Sequence, residues 1–156
     1  MPAKAIPEGY HSITPYLAVD DASGAIDFYK RAFGAEERVR MPTPDGKVAH
    51  AELAIGDSLI MLSDPFGEGQ VKSPKALGGS TTGIFLYTAD VDATYKQALD
   101  AGATSTQEPE VMFWGDRFAR VTDPYGHSWQ LATHVEDVSP EEMERRSQEA
   151  MASMPS

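Results

Sequence analysis

The chain has 156 residues, a one-domain length that can enclose a sizeable core, and its 41% hydrophobic and 24% charged residues are ordinary for a globular chain. Thirteen basic against 24 acidic residues give a net charge of −11, which argues against a basic nucleic-acid groove and against attraction to anionic membranes. Cysteine is absent, which excludes disulfides and a thiol nucleophile. The first residues lack a basic start followed by an apolar run, and no stretch approaches ~20 apolar residues, so a cytoplasmic protein that does not enter the membrane is expected.

Residues 1–9 carry two prolines and a glycine and read as an irregular lead-in. Alternation from Ile13 to Val19 predicts a strand, with Ile13, Leu17 and Val19 on one face and Thr14, Tyr16 and Ala18 on the other. Pro15 has no N–H to give to a ladder, which places this strand at an edge or a bulge. Asp20 or Asp21 caps a helix whose Ala22, Ala25, Ile26, Tyr29 and Phe33 recur at helical spacing, and Gly34 ends it. Glu37–Met41 reads as a strand, Pro42–Gly46 as a loop, and Val48–Ile55 as a strand with Leu53 and Ile55 toward the helices and His50 and Glu52 opposite. A turn at Gly56-Asp57 leads to the strand Leu59–Leu62.

Residues 64–81 are rich in Gly, Pro, Ser and Lys and read as a linker, with a mobile lid as the alternative. Gly83–Thr88 is a strand, and Asp90 caps a helix carrying Val91, Thr94, Tyr95 and Ala98 that stops near Gly102. Thr106–Pro109 reads as a loop, followed by strand material through Phe113 and a turn at Trp114-Gly115-Asp116. Arg117–Thr122 and the strand after Gly126 form a hairpin around Asp123-Pro124-Tyr125-Gly126, where Pro pre-sets one backbone angle and Gly supplies a positive one. In the tail, 136–156, Ser139-Pro140-Glu141-Glu142 is a capping box for a helix of roughly three turns with Met143, Arg146 and Ala150 on one stripe.

An internal repeat organises these elements. A shift of 69 residues lays Gly56–Leu62 on Tyr125–Leu131, Thr14–Leu17 on Gly83–Leu86, and Asp21 on Asp90. The expected fold is therefore α+β: two βαβββ units, about 10–63 and 82–134, within one domain spanning 1–135.

The paired units, Val19-Asp20-Asp21 leading to Phe28-Tyr29 and Phe33-Gly34, and Asp123-Pro124-Tyr125-Gly126-His127 resemble the vicinal-oxygen-chelate superfamily, which includes glyoxalase I, the bleomycin-resistance proteins and the extradiol dioxygenases. His50-Ala51-Glu52-Leu53 and the stretch Thr133–Met143 are similar to its PhnB-like branch. The resemblance covers about residues 10–143 and implies two curved sheets around an open cup. It also implies a homodimer, because relatives commonly pair or swap units between chains, and open sheet edges call for a cover. Metal enzymes of the family carry His and Glu ligands on the first and last strand of each unit. The residues on those positions here are Thr14, Met61, Gly83 and Gln130, none an imidazole or carboxylate, so no metal is expected there.

His50 and Glu52 share a strand face. They read as a general base with its orienting carboxylate, as two ligands of an unconventional divalent-metal site, or as a hydrogen-bonded structural pair. Tyr16, Phe85, Tyr87, Phe113 and Trp114 are either an aromatic wall for an apolar ligand or core. Thr14, Met61 and Gln130 are further substrate-binding candidates. Arg117 and Asp116 at a hairpin mouth bind a polar ligand group or form a surface ion pair. His127 and His134 read as structural, bonding nearby backbone. Gly78-Gly79-Ser80-Thr81 lacks the P-loop lysine, and no G-x-S-x-G elbow is present. Two functions fit these residues. One is a glyoxalase-like lyase or isomerase acting on a small oxygenated molecule; the other is a protein that sequesters a drug or metabolite without chemistry. In either reading the cup holds His50 and Glu52, with Tyr16, Phe85 and Trp114 along its wall.

Overall fold

The computed structural model describes residues 2–67 and 71–155. The first unit runs β1 (Tyr16–Ala18), α1 (Ala22–Phe33), β2 (Glu36–Pro42), β3 (Val48–Ile55) and β4 (Ser58–Ser63). A short α2 (Pro74–Leu77) lies in the connection. The second unit repeats the plan as β5 (Gly83–Tyr87), α3 (Val91–Ala101), β6 (Thr104–Val111), β7 (Asp116–Thr122) and β8 (Ser128–His134), and α4 (Pro140–Ser153) follows. Each unit makes a four-stranded mixed sheet, in the orders β1-β4-β3-β2 and β5-β8-β7-β6, with only the first pair of each parallel. The expected α+β architecture of two βαβββ units is what the chain adopts, and the two sheets do not close into a barrel.

Local chemistry sets the element ends. Asp21 caps α1, its carboxylate accepting from the N–H of Gly24, and it adopts a left-handed conformation with φ 66° to do so. The buried Asp64 at the end of β4 accepts from the N–H groups of Asp21, Ala22 and Val48, so it ties the first turn of α1 to both β3 and β4. Thr133, one repeat later, does the same for α3 by accepting from the N–H of Val91 and donating to the carbonyl of Thr88. Two different side chains thus satisfy the same otherwise orphaned helix-start donors.

The two units share one core. Ala22, Ala25, Ile26, Phe28, Tyr29 and Ala32 of α1 are buried, as helical spacing requires. They meet Leu53, Ile60 and Leu62 of the first sheet and Val121, Trp129 and Leu131 of the second. The Trp129 ring lies 4.5 Å from that of Phe33 and 5.3 Å from that of Tyr29, so α1 packs on the second unit's sheet as well as its own. Near their C-terminal ends α1 and α3 are cross-linked, Gln97 donating to the carbonyl of Arg31 at 2.6 Å. Full burial of a large apolar side chain contributes about 1.5–3 kcal/mol, and Trp129, Tyr29, Phe28 and Leu131 are all fully buried.

Several boundaries differ from the sequence reading. β1 is three residues long rather than the whole of Ile13–Val19, and Ile13 is 87% exposed instead of sharing the buried face of Leu17. The strand is an edge, as Pro15 requires, and the carbonyl of Pro15 still accepts from the N–H of Met61. The loop expected at Thr106–Pro109 is instead part of β6, which keeps its pairing with β7 through two register shifts. Pro109 falls inside the second shift, where no ladder N–H is demanded of it. Of the linker 64–81, residues 68–70 lie outside the described residues. Its later part holds α2, capped by the buried Ser73, and Pro74 packs so closely on the β7–β8 turn that a Cβ on Gly126 would lie 2.7 Å from it. Ser139 caps α4 as expected, its hydroxyl accepting from the N–H of Glu142, but the Glu142 carboxylate turns to Arg145 and Arg146 rather than back to the cap.

Asp123, 3% exposed, holds the turn and the inter-unit contact at once. It accepts from the N–H groups of Tyr125 and His127, from the Trp129 indole at 2.9 Å, and from the Tyr29 hydroxyl at 2.5 Å. Burial, with the Asp123 charge alongside, pushes the Tyr29 hydroxyl well above its ordinary range, so it stays protonated and donates. Asp123→Ala leaves four donors unpaired and is expected to destabilise the fold by at least about 3 kcal/mol in urea unfolding. Tyr29→Phe, which removes one donor and leaves the rest, is expected to cost about 1–2 kcal/mol. Equal effects of the two would remove Asp123 from its place at the centre of the network.

Candidate functional site

Strand alternation leaves each sheet with a second face, turned away from the shared core. On the first sheet this face carries Tyr16, His50, Glu52 and Met61; on the second it carries Phe85, Tyr87, Asp116, Phe118 and Gln130. Both faces are open in a single chain: Tyr16 and Phe85 are each 43% exposed and Tyr87 58%.

The first face holds a hydrogen-bonded chain. His50 and Glu52 point the same way, and Nε2 of His50 lies 2.8 Å from the Glu52 carboxylate. Nδ1 of His50 lies 3.2 Å from the hydroxyl of Tyr16. The other Glu52 oxygen accepts from the hydroxyl of Tyr10, which arrives from the irregular lead-in. The Tyr10 and His50 hydrogen bonds hold the Glu52 carboxyl below its usual range, while burial and the Glu52 contact push the Tyr10 hydroxyl up to about 12. A cavity of ≈ 410 Å³ opens beside this chain, lined by Tyr10, Arg38, Glu52 and Leu59 among others.

The second face is aromatic. The ring of Phe85 lies 4.9 Å from that of Tyr87 and 5.8 Å from that of Phe118, which Trp114 meets edge-on at 5.5 Å. Behind these rings Asp116 is 1% exposed and accepts from the Tyr87 hydroxyl at 2.8 Å, the Trp114 indole at 2.9 Å and Nδ1 of His134 at 2.8 Å. Burial works to raise the Asp116 carboxyl, but the bonds from His134, Tyr87 and Trp114 outweigh it and bring it below its ordinary range. Gly115 (φ 102°) makes the geometry possible: a Cβ there would lie 2.2 Å from the carbonyl of Glu136, which folds back over the hairpin.

The sequence-predicted site residues thus divide into two sets. Tyr16, His50, Glu52 and Met61 meet on the first sheet, and Phe85, Tyr87, Trp114 and Gln130 lie with the second; the sequence leaves open whether one chain or two complete the cup, and within one chain the two sets face apart because both sheets spend their other face on the shared core. Phe113 stacks edge-on against Trp114, its ring 5.2 Å away. Thr14 lies before β1 and lines a separate cavity of ≈ 180 Å³ with Ile13, Phe85 and Trp129. Arg117 does not pair with Asp116. Strand parity turns it to the helix side, where it forms a two-pronged ion pair with Asp92 of α3 at 2.7 and 2.9 Å. His127 bonds a distant rather than a nearby carbonyl, that of Ala18 in β1, at 2.9 Å, and so joins the units. His134 bonds side chains, Asp116 and Asp137, instead of backbone. Tyr10 went unrecognised because a tyrosine in an irregular lead-in carries no periodicity to place it.

The family's metal positions do not fit a hard divalent ion. Met61 sits opposite Tyr16 and Glu52, Gln130 sits opposite Phe85, and a Cβ on Gly83 would meet the Gln130 amide at 2.7 Å. Among the described residues no three His, Cys, Asp or Glu side chains converge in a way that could hold a metal. Among them, too, no helix is long and apolar enough to cross a membrane.

Comparison with known proteins agrees with this architecture. Residues 9–131 match the model of the Glyoxalase/Bleomycin resistance protein/Dioxygenase superfamily, and the chain belongs to that family. It is 44% identical over 136 residues to the Mycobacterium bovis protein Mb0911c, spanning 85% of this chain and 90% of that one. The structure resembles TnmS3, an antibiotic-binding protein from Streptomyces sp. CB03234, with a TM-score of 0.61 and 28% identity over 84% of this chain and 98% of the other. It shares its fold with a PhnB protein from Bacillus cereus, with a TM-score of 0.61 and 19% identity over 79% of this chain and 99% of that one.

The Asp116 and Asp137 carboxylates raise the His134 imidazole above its ordinary 6.5. A raised folded-state value means that the stabilisation is complete below the ordinary value and is lost as the pH climbs through the raised one. Asp116 stays ionised throughout that window. The melting temperature is therefore expected to fall as the pH rises from about 6 to about 8, and His134→Gln to flatten that slope. An unchanged slope in the variant would dissociate His134 from the pH dependence.

Proposed function

We propose that the protein binds a small organic molecule with a planar apolar surface, and that a second copy of the chain completes the cup around it. The observation that supports this most directly is the aromatic face on which a monomer leaves Phe85 and Tyr87 exposed to water, already arranged as a wall against the half-buried Trp114 and the buried Phe118. The first sheet presents an equally open face with the complementary polar groups. A two-fold dimer would set one chain's polar face opposite its partner's aromatic face, and it is the commonest way for such edges and faces to be covered. Sequestration without turnover is the reading favoured by the resemblance to TnmS3, described as antibiotic-binding, and by the mismatch between the family's metal positions and the residues here. The second reading, a lyase or isomerase, is favoured by one observation only, the Tyr16–His50–Glu52 hydrogen-bonded chain.

Light scattering is expected to give about twice the 16.9 kDa chain mass at micromolar concentration. A thermal-shift screen of planar aromatic compounds is expected to yield stabilising ligands, because anything that binds the folded state alone raises its melting point. Phe85→Ala and Tyr87→Ala are each expected to weaken such a ligand by about three- to tenfold, the scale of one aromatic contact. A monomer that none of these compounds stabilises would overturn the proposal.

A further inference from the structure

The chain Tyr16–His50–Glu52–Tyr10 has a direction. The carboxylate of Glu52 accepts at both oxygens, from the Tyr10 hydroxyl and from Nε2 of His50. Nε2 therefore carries the proton of the neutral imidazole, and Nδ1 presents its lone pair to the Tyr16 hydroxyl 3.2 Å away. A carboxylate that fixes an imidazole tautomer and stabilises the imidazolium is the arrangement that turns histidine into an effective base. Here the group in front of the base is the phenol of Tyr16, a residue 43% exposed on the open face. The other groups that face His50 leave this arrangement intact. Met41, opposite it on β2, brings no charge, and Arg38 lines the cavity on the far side of Glu52.

We propose that this face is an acid–base relay for a weakly acidic hydroxyl on an aromatic ligand, in which the ligand's proton passes to the oxygen of Tyr16 while the proton of Tyr16 passes to Nδ1 of His50. The step balances: one O–H bond breaks on the ligand and one forms on Tyr16, and one O–H bond breaks on Tyr16 as an N–H bond forms on His50. The products are a bound ligand oxyanion, a neutral Tyr16 and an imidazolium paired with the Glu52 carboxylate. Tyr16 meets the ligand, His50 stores the proton, and Glu52 and Tyr10 are positioning residues. The proposal rests on the ligand-cup reading above and adds the chemical class of the ligand.

The test uses 4-nitrophenol, whose phenolate absorbs visibly and whose neutral form does not. With the full-length wild-type protein near pH 6, the bound probe is expected to show a phenolate-to-phenol ratio about tenfold higher than the free probe, a downward shift of about one pH unit in its titration. His50→Gln and Tyr16→Phe are expected to abolish that shift while the probe still binds, and Glu52→Gln to reduce it. Nitrogen-15 NMR of the ligand-free wild type supplies a readout that does not depend on variants folding, with the neutral His50 ring expected to be protonated on Nε2. A bound probe with an unshifted titration would overturn the relay and leave the cup reading standing. A probe that does not bind would overturn the hydroxyaromatic ligand class, and the dimer mass and the wider aromatic screen would decide the cup separately. A His50 ring protonated on Nδ1 would overturn the direction of the chain.

Discussion

The carboxylate of Asp123 is the contact on which the rest of the structure depends. Two of its four donors are backbone N–H groups of its own turn, one is the indole of the following strand, and one is a phenol from α1 in the other unit. A buried charge is tolerated only when its hydrogen bonds are complete, so the turn, the strand and the helix must all be in place together. His127, four residues on, extends the link by bonding the backbone of β1. The hairpin that ends the second unit is therefore also what fastens the first unit to it.

That fastening decides which face of each sheet the core uses up. Both sheets apply one face to the α1–α3 layer, and Trp129 from the second sheet lies against rings of α1. The opposite faces are left free of the core, one carrying a hydrogen-bonded polar chain and the other a set of aromatic rings around a buried carboxylate. The division is chemically useful. Rings give a planar molecule apolar contact at little entropic cost, and the polar chain can exchange a proton with an oxygen on its rim.

Much of this was legible in the residues. Alternation in Val48–Ile55 put His50 and Glu52 on one face, away from Leu53 and Ile55, and the structure shows them there and bonded to each other. Tyr16, Phe85 and Tyr87 could be named because aromatic residues on strands fall on one side or the other, and Trp114 because it sits at a hairpin turn. Their division into two sets could not be read, since parity fixes a face within a sheet and says nothing about how two sheets are oriented. Asp116 and Arg117 are adjacent in sequence and invite pairing, yet neighbours in a strand point to opposite faces, and each found a partner from another element.

The sequence by itself determined the strand and helix order of the two units, the repeat and the caps of their helices, because these depend on periodicity and on bonds within a few positions of the chain. Asp21, Ser139 and the Asp-Pro-Tyr-Gly turn act locally and so are visible locally. Only the tertiary structure decided that Tyr10 completes the Glu52 carboxylate, that Asp116 gathers Tyr87, Trp114 and His134, and that Asp123 reaches Tyr29 across 94 positions of chain. Those contacts join residues whose spacing follows no period, and a donor and acceptor far apart in the chain meet only after the apolar core has chosen how the two units pack.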